Sequence, residues 1–241
     1  MASIGGMDTK ATRRSAVTIA GQRVALVVRR HPRAKRLILR LAAAEDGVVV
    51  TIPPSAAFED AAALALRHAD WIAGRLAARP ARVVFEPGAV VPLRGRDHRV
   101  CHRAGAPAGI LAEPGAIHIG GTARTLAARL HAWLRDQARC DLSAHATALA
   151  PATGRSHGRI TVRDPRARWG SCAASGELSF SWRLVLAPSF VLRYVVAHEL
   201  AHLVERNHGP RFWALVEALA GDVSDSRGWL KRHGPGLHRY G

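Results

Sequence analysis

The most constraining feature of this sequence is a strongly apolar segment, residues 189–207, with ionisable side chains near its middle. Its apolar residues recur around the whole circumference of a helix, and a helix that is hydrophobic on every side lies in a protein core. His198, Glu199 and His202 belong to this helix, so two imidazoles and a carboxylate must be held away from water. A buried carboxylate without a partner is strongly unfavourable, so the two imidazoles and the carboxylate need a binding partner within the core.

The spacing of these side chains is His-Glu-x-x-His, which favours a metal ion as the shared partner. Residues four apart lie on one helical face about one turn from each other, so both imidazoles can reach a single ion. Zn²⁺ is the predicted metal, because neutral imidazole is a good zinc ligand and three protein ligands leave one position for water. Glu199, beside the ion, is the predicted general base. The alternative is that the three groups hydrogen-bond to the backbone of a core.

A third ligand is expected at His208, six residues after His202. The helix must therefore end and the chain must turn back towards the metal. Some proteins with this ligand spacing have glycine at the turn, whereas this chain has Glu205 there. Asn207 and Gly209 are the neighbouring residues able to adopt left-handed conformations, and we expect the turn at these positions.

The wider segment is similar to a known family. The blocks that carry the likeness are Arg168-Trp169-Gly170-Ser171-Cys172, Leu178-Ser179-Phe180, Trp182-Arg183-Leu184, Pro188, Tyr194 to Leu203, Asn207-His208 and Phe212-Trp213. They closely resemble the YgjP-like metallopeptidase domain, a relative of the SprT-like zincins, from about residue 166 to 230 and more weakly from about residue 17. The resemblance implies a zincin-type core with the three histidines as ligands and the glutamate as base, and it names no substrate.

Other aromatic and sulfur side chains of these blocks have less certain roles. We expect Trp169 to pack in the core instead of lining a substrate groove, and Cys172 to be a small buried hydrophobe instead of a ligand. Tyr194 lies one turn before the first histidine on the metal face, where it either packs or donates to an oxyanion. Phe212 and Trp213 are expected to hold the third-ligand turn by packing. Residues that could close one side of the cleft are Arg227, Trp229 and His233.

The remaining pattern predicts an α+β fold. Short apolar runs predict strands at 16–28, 37–41, 48–52, 83–93, 99–102, 117–119, 160–163, 169–172 and 177–182, the last two as a hairpin. Helical periodicity predicts helices at 58–76, 126–149, 189–207, with Ser189 as N-cap, and 211–220. We therefore expect a flexible leader (1–15), a β-rich N-terminal module (16–120) and a zincin-like catalytic core (121–241) made of the active-site helix and a small antiparallel sheet. No internal repeat is visible.

Cysteine usage and hydropathy bear on the compartment. Cys101, Cys140 and Cys172 are widely spaced, which is typical of reduced thiols and a cytoplasmic protein. No apolar run approaches the roughly 18 residues needed to span a bilayer, and no signal peptide is visible, so we expect no membrane contact.

The charge balance is strongly basic, with 35 Lys and Arg against 18 Asp and Glu. Ten basic residues and no acidic one lie between Lys10 and Arg40. Such a surface attracts nucleic acid or acidic partners, although a run of charge is more often a solvated face.

The sequence therefore predicts a zinc-dependent metallopeptidase that acts on a peptide or protein substrate. One alternative is a nucleic-acid-associated binding module whose zinc is structural, which a closed fourth coordination position would favour. Another is a metallohydrolase that cleaves a non-peptide amide.

Overall fold

The computed structural model describes residues 12–42, 47–78 and 81–241. The chain divides into two compact units between residues 80 and 81, and each unit has its own hydrophobic core. Helices combine with three small sheets, which confirms the predicted α+β class.

The first unit is a four-stranded sheet covered by two helices. Its elements are Thr12–Ile19 (β1), Gln22–Arg30 (β2), Ile38–Leu41 (β3), Gly47–Ile52 (β4), Phe58–Arg67 (α1) and Ala69–Ala77 (α2). The strand order is β1-β2-β4-β3, with a parallel central pair and antiparallel outer pairs. Alternate strand residues such as Val24, Leu26 and Val50 point to the helices and form the core, as the period of two in a strand requires.

Two predictions for this unit need correction. The helix predicted for 58–76 is two helices, because His68 leaves helical geometry at φ −107° and ψ 25°. The leader predicted for 1–15 extends too far, because Thr12 already pairs with Arg29 in the β1–β2 ladder. Residues 1–11 lie outside the described part of the chain.

The second unit begins with a sheet of the same topology as the first. Its strands are Val90–Leu93 (β5), Arg96–Arg103 (β6), Ile110–Glu113 (β7) and Ala116–Gly120 (β8), in the order β5-β6-β8-β7. Each sheet opens with a two-residue hairpin loop whose residues both have positive φ, 48° and 75° at Ala20-Gly21 and 51° and 77° at Arg94-Gly95. These are type I′ turns. The repeated topology was not visible in the sequence. Two sheets can share a strand order when their apolar alternation and turn positions are similar, even if their residues differ.

The sheet β5–β8 shares its core with the rest of the second unit. Val91, Val100 and Ile117 are fully or almost fully buried in one cluster with Leu130 of the long helix Leu126–Leu149 (α3). The division at residue 80 therefore lies earlier than the predicted one at residue 120. Local strand patterns do not show which helix covers them, so the sequence could not place this boundary.

The remaining elements complete the second unit. They are Ile160–Arg163 (β9), Gly170–Cys172 (β10), Leu178–Ser181 (β11), Ser189–Ala201 (α4), Pro210–Ala220 (α5) and Ser224–Leu237 (α6), with a 3₁₀ segment at Trp182–Leu186. β10 and β11 form the predicted antiparallel hairpin, and β9 pairs with β11 in parallel. The small sheet next to α4 is therefore mixed instead of antiparallel throughout.

The β5–β6 turn fixes the start of α4. The backbone N–H groups of Arg94 and Gly95 donate to the carbonyls of Val185 and Leu186, at 2.7 and 3.2 Å. A Cβ on Gly95 would lie 2.8 Å from Cγ of Pro188, so the turn packs directly against the residue that precedes the helix. That residue is the N-cap, and the predicted N-cap Ser189 is wrong because Ser189 is already helical.

Arg183 ties the C-terminal segment to the core of the second unit. Its guanidinium, with a side chain only 4% exposed, donates two hydrogen bonds to Asp164 at 2.7 and 3.1 Å. The same group donates to the carbonyls of Leu237 and Tyr240 at 2.9 and 2.7 Å. One buried cation therefore joins β9, the 3₁₀ segment and the end of α6.

Two further observations concern thiols and hydropathy. Cys101, Cys140 and Cys172 are all free thiols, as predicted. Among the described residues, the helices are too short or too polar to cross a membrane.

Candidate metal centre

The helix that carries the motif ends earlier than predicted. α4 stops at Ala201, and His202 is its C-cap with φ −66° and ψ −14°, still close to helical geometry. The rings of His198 and His202 therefore keep the one-turn separation, with centroids 5.1 Å apart. The backbone N–H of Leu203 then donates to Leu200 at 3.0 Å, an i to i+3 bond that tightens the last turn.

The turn towards His208 does not use a left-handed residue. Gly209 has φ −80°, and Asn207 is not among the described residues with positive φ, so that prediction is wrong. The tightened helix end and a bend at Asn207, whose carbonyl accepts from the Gly209 N–H at 2.8 Å, bring the chain back without it.

The structure brings the three predicted ligands together. Nε2 of His208 lies 3.1 Å from Nε2 of His198, and one ligand atom from each of His198, His202 and His208 lies within 4.8 Å of the others. The first two side chains are half-buried and His208 is exposed, so the centre opens to solvent. The group is close enough to bind one metal ion.

The donor set fits a zinc ion. Two nitrogens at about 2.05 Å from a tetrahedral zinc would be about 3.3 Å apart. The 3.1 Å between Nε2 of His198 and Nε2 of His208 is close to this value, and all three ligand atoms lie within 4.8 Å of one another. Nδ1 of His202 lies 3.1 Å from the carbonyl oxygen of Glu205, so this nitrogen carries the proton and Nε2 keeps its lone pair. Burial, followed by the neighbouring His202 and His208, lowers the pKa of His198 to about 4. The ring is therefore neutral, the form that binds metal.

Phe212 packs against all three imidazoles. Its ring is fully buried, and its centroid lies 4.9, 4.6 and 4.6 Å from those of His198, His202 and His208. The residue belongs to α5, which starts directly after the third histidine. The predicted packing role of Phe212 is confirmed.

The side chain of Glu199 extends from α4 and packs against strand β10. Its side chain is 5% exposed, and burial raises the pKa of the carboxyl to about 7, against the opposing effects of Arg168 and of a hydrogen bond from the Cys172 backbone N–H. A Cβ on Gly170 would lie 2.6 Å from both Cγ and Oε1 of Glu199. Sequence reasoning overlooked Gly170, although a glycine inside a strand is itself a signal of close approach.

The remaining residues singled out in the sequence lie around this centre. Tyr194 contacts the motif edge-on, with its ring 6.0 Å from that of His198. Arg227 of α6 lies over Trp213, with Cζ 4.5 Å from the ring centroid, and that ring is 5.9 Å from His198. A permanent positive charge therefore lies next to the histidines. The sequence had predicted only that Arg227 could close one side of the cleft.

Trp169 and Cys172 do not join the histidines. Trp169 stacks on His238 at 5.3 Å and packs against the core of the second unit, as expected. The thiol of Cys172 lies 3.5 Å from the carbonyl of Ala173 and does not belong to the three-histidine group. Both side chains pack against that core, but Cys172 is only partly buried and not the fully buried residue that the sequence predicted.

Comparison with known proteins identifies a family. A family model described as YgjP-like, metallopeptidase domain, matches residues 35–233. No curated protein and no solved structure shows a significant match. The family model extends across most of both units, including the three histidines and Glu199, and a metallopeptidase domain implies a bound metal.

Proposed function

The chain belongs to the YgjP-like metallopeptidase family, and on this basis we propose that it is a zinc-dependent peptidase with His198, His202 and His208 as the zinc ligands. The observation that carries the proposal is the convergence of three imidazole nitrogens within 4.8 Å beside a buried carboxylate. Zinc, when bound, polarises the scissile carbonyl and makes a coordinated water acidic enough to lose its proton near neutral pH.

Glu199 acts as the general base in this proposal. It follows His198 directly in α4, so its carboxylate lies beside the ligand face of the helix. A carboxyl with a pKa near 7 can accept a proton from water and later release it to the leaving amine at neutral pH. Gly170 and the Cys172 N–H keep this carboxylate in one orientation.

Strand β10 offers a place for an extended peptide. It is an edge strand in the order β10-β11-β9, so among the described residues one of its sides pairs with no other strand. An added strand would gain main-chain hydrogen bonds along this edge. Because β10 also contacts Glu199, a peptide bound there would place its backbone near the base.

The nature of the ligands favours a catalytic over a structural zinc. Structural sites are closed and usually contain several thiolates, whereas three imidazoles with one exposed member leave a position for water. A structural zinc would also leave no role for the buried carboxylate of Glu199.

The test replaces the base and keeps the ligands. Zinc-loaded wild type, Glu199→Gln and the control Glu177→Gln, an exposed position in the β10–β11 hairpin, are incubated with unfolded protein, a peptide library and simple amides. We expect cleavage of peptides by wild type and control, and zinc without turnover in Glu199→Gln. Parental turnover in Glu199→Gln would refute the base, and cleavage of amides but not of peptides would refute the substrate class.

A further inference from the structure

Two exposed arginines lie at the two ends of β10, the edge strand that borders the metal centre. Arg168 comes two residues before Gly170, at the start of the strand, and its charge opposes the rise that burial causes in the pKa of Glu199. Arg206 lies beyond the end of α4. Its charge opposes the rise that burial and Glu199 cause in the pKa of Cys172, the last residue of the strand.

Packing of the turn that joins β10 to β11 explains how Arg206 comes close to the strand. A Cβ on Gly176 in this turn would lie 3.5 Å from Cδ2 of Leu203, so the turn packs on the chain directly after α4. The backbone N–H of Glu205 donates to the carbonyl of Ala201 at 2.9 Å, which keeps this chain against the helix end. Arg206 is the next residue.

Main-chain pairing fixes the position of Arg168 at the other end of the strand. The N–H of Ser181 donates to the carbonyl of Trp169 at 2.9 Å, so the pairing of β10 with β11 continues to the residue next to Arg168. The chain from Arg168 to Cys172 advances by four residues, which is at most about 14 Å. An extended peptide along β10 therefore passes the two ends of the strand with residues about four positions apart.

The structure gives neither arginine an ionic partner among the residues that it describes. Asp164, four residues before Arg168, pairs with Arg183 instead, at 2.7 Å. Glu205, next to Arg206 in the chain, forms no ion pair within the described ranges. Both guanidinium groups therefore keep their charge available for a ligand.

Other arginines of the second unit have bonds that serve the fold. Arg94 pairs with Asp141 at 2.7 Å, and Arg129 donates to the carbonyl of Gly109 at 3.1 Å. Arg193 of α4 donates to the carbonyl of Leu219 at 2.8 Å. These bonds connect separate elements, whereas the two arginines beside β10 point their charge at the solvent next to the candidate centre.

The edge of β10 is too short to select a peptide through its backbone alone. The backbone of Trp169 and Ala173 bonds to β11, so by alternation the polar backbone groups of Gly170 and Cys172 point to the open edge. The Cys172 N–H already donates to Glu199. Few main-chain bonds are left for a peptide, so side-chain charges must supply most of the selectivity.

We propose that Arg168 and Arg206 select peptides that carry an acidic side chain on each side of the scissile bond, about four residues apart. Gly170, midway between the two ends of this stretch, contacts Glu199, so the two acids flank the bond next to the base. Guanidinium is a planar donor that can bind a carboxylate through two hydrogen bonds. Each exposed ion pair strengthens binding by up to about fivefold, so two together give about tenfold at low salt.

Because this selection rests on the proposed peptidase function, the experiment measures binding apart from cleavage. The zinc-loaded full chain with Glu199→Gln is titrated by anisotropy with fluorescein-labelled peptides, in 50 and 200 mM NaCl. The peptides differ only at two positions four apart, which hold Glu, Gln or Lys. The test variant adds Arg168→Gln and Arg206→Gln, and the control adds Arg124→Gln and Arg139→Gln, which remove the same charge from exposed positions before and within α3.

We expect the Glu peptide to bind about tenfold more tightly than the Gln peptide at the lower salt concentration, and the Lys peptide to bind most weakly. This preference should shrink to about twofold or less in the test variant and at the higher salt concentration, and it should persist in the control at low salt. With Glu199 intact, kcat/KM should follow the same order of peptides. Melting curves check that the exposed substitutions leave the fold intact.

Several results would overturn the inference. Equal loss of preference in test variant and control would mean that only net charge matters, and equal binding of all three peptides would mean that the arginines are merely solvated. Equal binding of a peptide with its two Glu residues adjacent would refute the spacing.

The outcomes separate this selection from the peptidase itself. Cleavage by wild type without any charge preference would refute the role of the two arginines and leave the proposed function standing. Charge-dependent binding that is lost in the test variant, without cleavage of any peptide by wild type, would refute the peptidase and keep the arginines as a site for acidic peptides.

Discussion

Gly170→Ala should inactivate the protein without removing its metal. The new methyl group would lie 2.6 Å from Cγ and Oε1 and 2.9 Å from Cδ of Glu199, whereas carbon atoms in contact are about 3.5 to 4.0 Å apart. The carboxylate must therefore move by about 1 Å, and a displacement of this size at a reacting group lowers turnover about a hundredfold. Overpacking should also lower the free energy of unfolding by about 1 to 3 kcal/mol.

The assay combines kcat/KM on the best peptide substrate, zinc content and melting temperature. Zinc should stay unchanged, because none of the three histidines is among the atoms that the new methyl group would meet most closely. The matched control is Gly236→Ala in α6, where an added Cβ meets nothing within 4 Å. Activity of Gly170→Ala within twofold of wild type, with zinc bound, would refute the claim that this contact orients the base.

Three other substitutions test the surroundings of the site. Asp164→Asn leaves the buried Arg183 without its ionic partner and should lower the free energy of unfolding by about 2 to 3 kcal/mol at pH 7. Burial acts to raise the pKa of Asp164, but bonding to Arg183 outweighs it and lowers that pKa, so the stability from this pair is lost as the pH falls below about 4. The difference in melting temperature between Asp164→Asn and wild type should therefore shrink at low pH, whereas the exposed control Asp136→Asn should show little difference at any pH. Phe212→Leu removes the ring that contacts all three imidazoles, and it should lower unfolding free energy by about 1 to 2 kcal/mol and speed zinc loss to a chelator. Arg227→Ala should lower kcat and kcat/KM together by about ten- to a hundredfold with zinc retained, because its cation can stabilise an oxyanion; an effect on KM alone would contradict this role.

The candidate centre could be predicted from sequence because it is local. His198, Glu199, His202 and His208 lie within one helix and the turn after it, so helical periodicity alone brings the first three together. The contact between Gly170 and Glu199 could not be predicted in the same way. It depends on how β10 packs on α4, and no spacing within either element encodes that.

Helix ends and sheet boundaries show the same limit. Apolar residues continue to Val204, so periodicity favoured a longer helix, whereas backbone bonds tighten the chain from His202 onwards. The strands of β5–β8 look like part of an N-terminal β-rich module because their own pattern is short and alternating. Only burial of residues such as Ile117 against α3 assigns them to the second unit.

The most direct test of the metal centre is the zinc content of purified protein, measured by elemental analysis. The account predicts about one zinc per chain in wild type and in His68→Ala, an exposed histidine between α1 and α2. It predicts loss of that zinc in His198→Ala and His208→Ala. Retention of a full equivalent of zinc in both of these variants would contradict the three-histidine site.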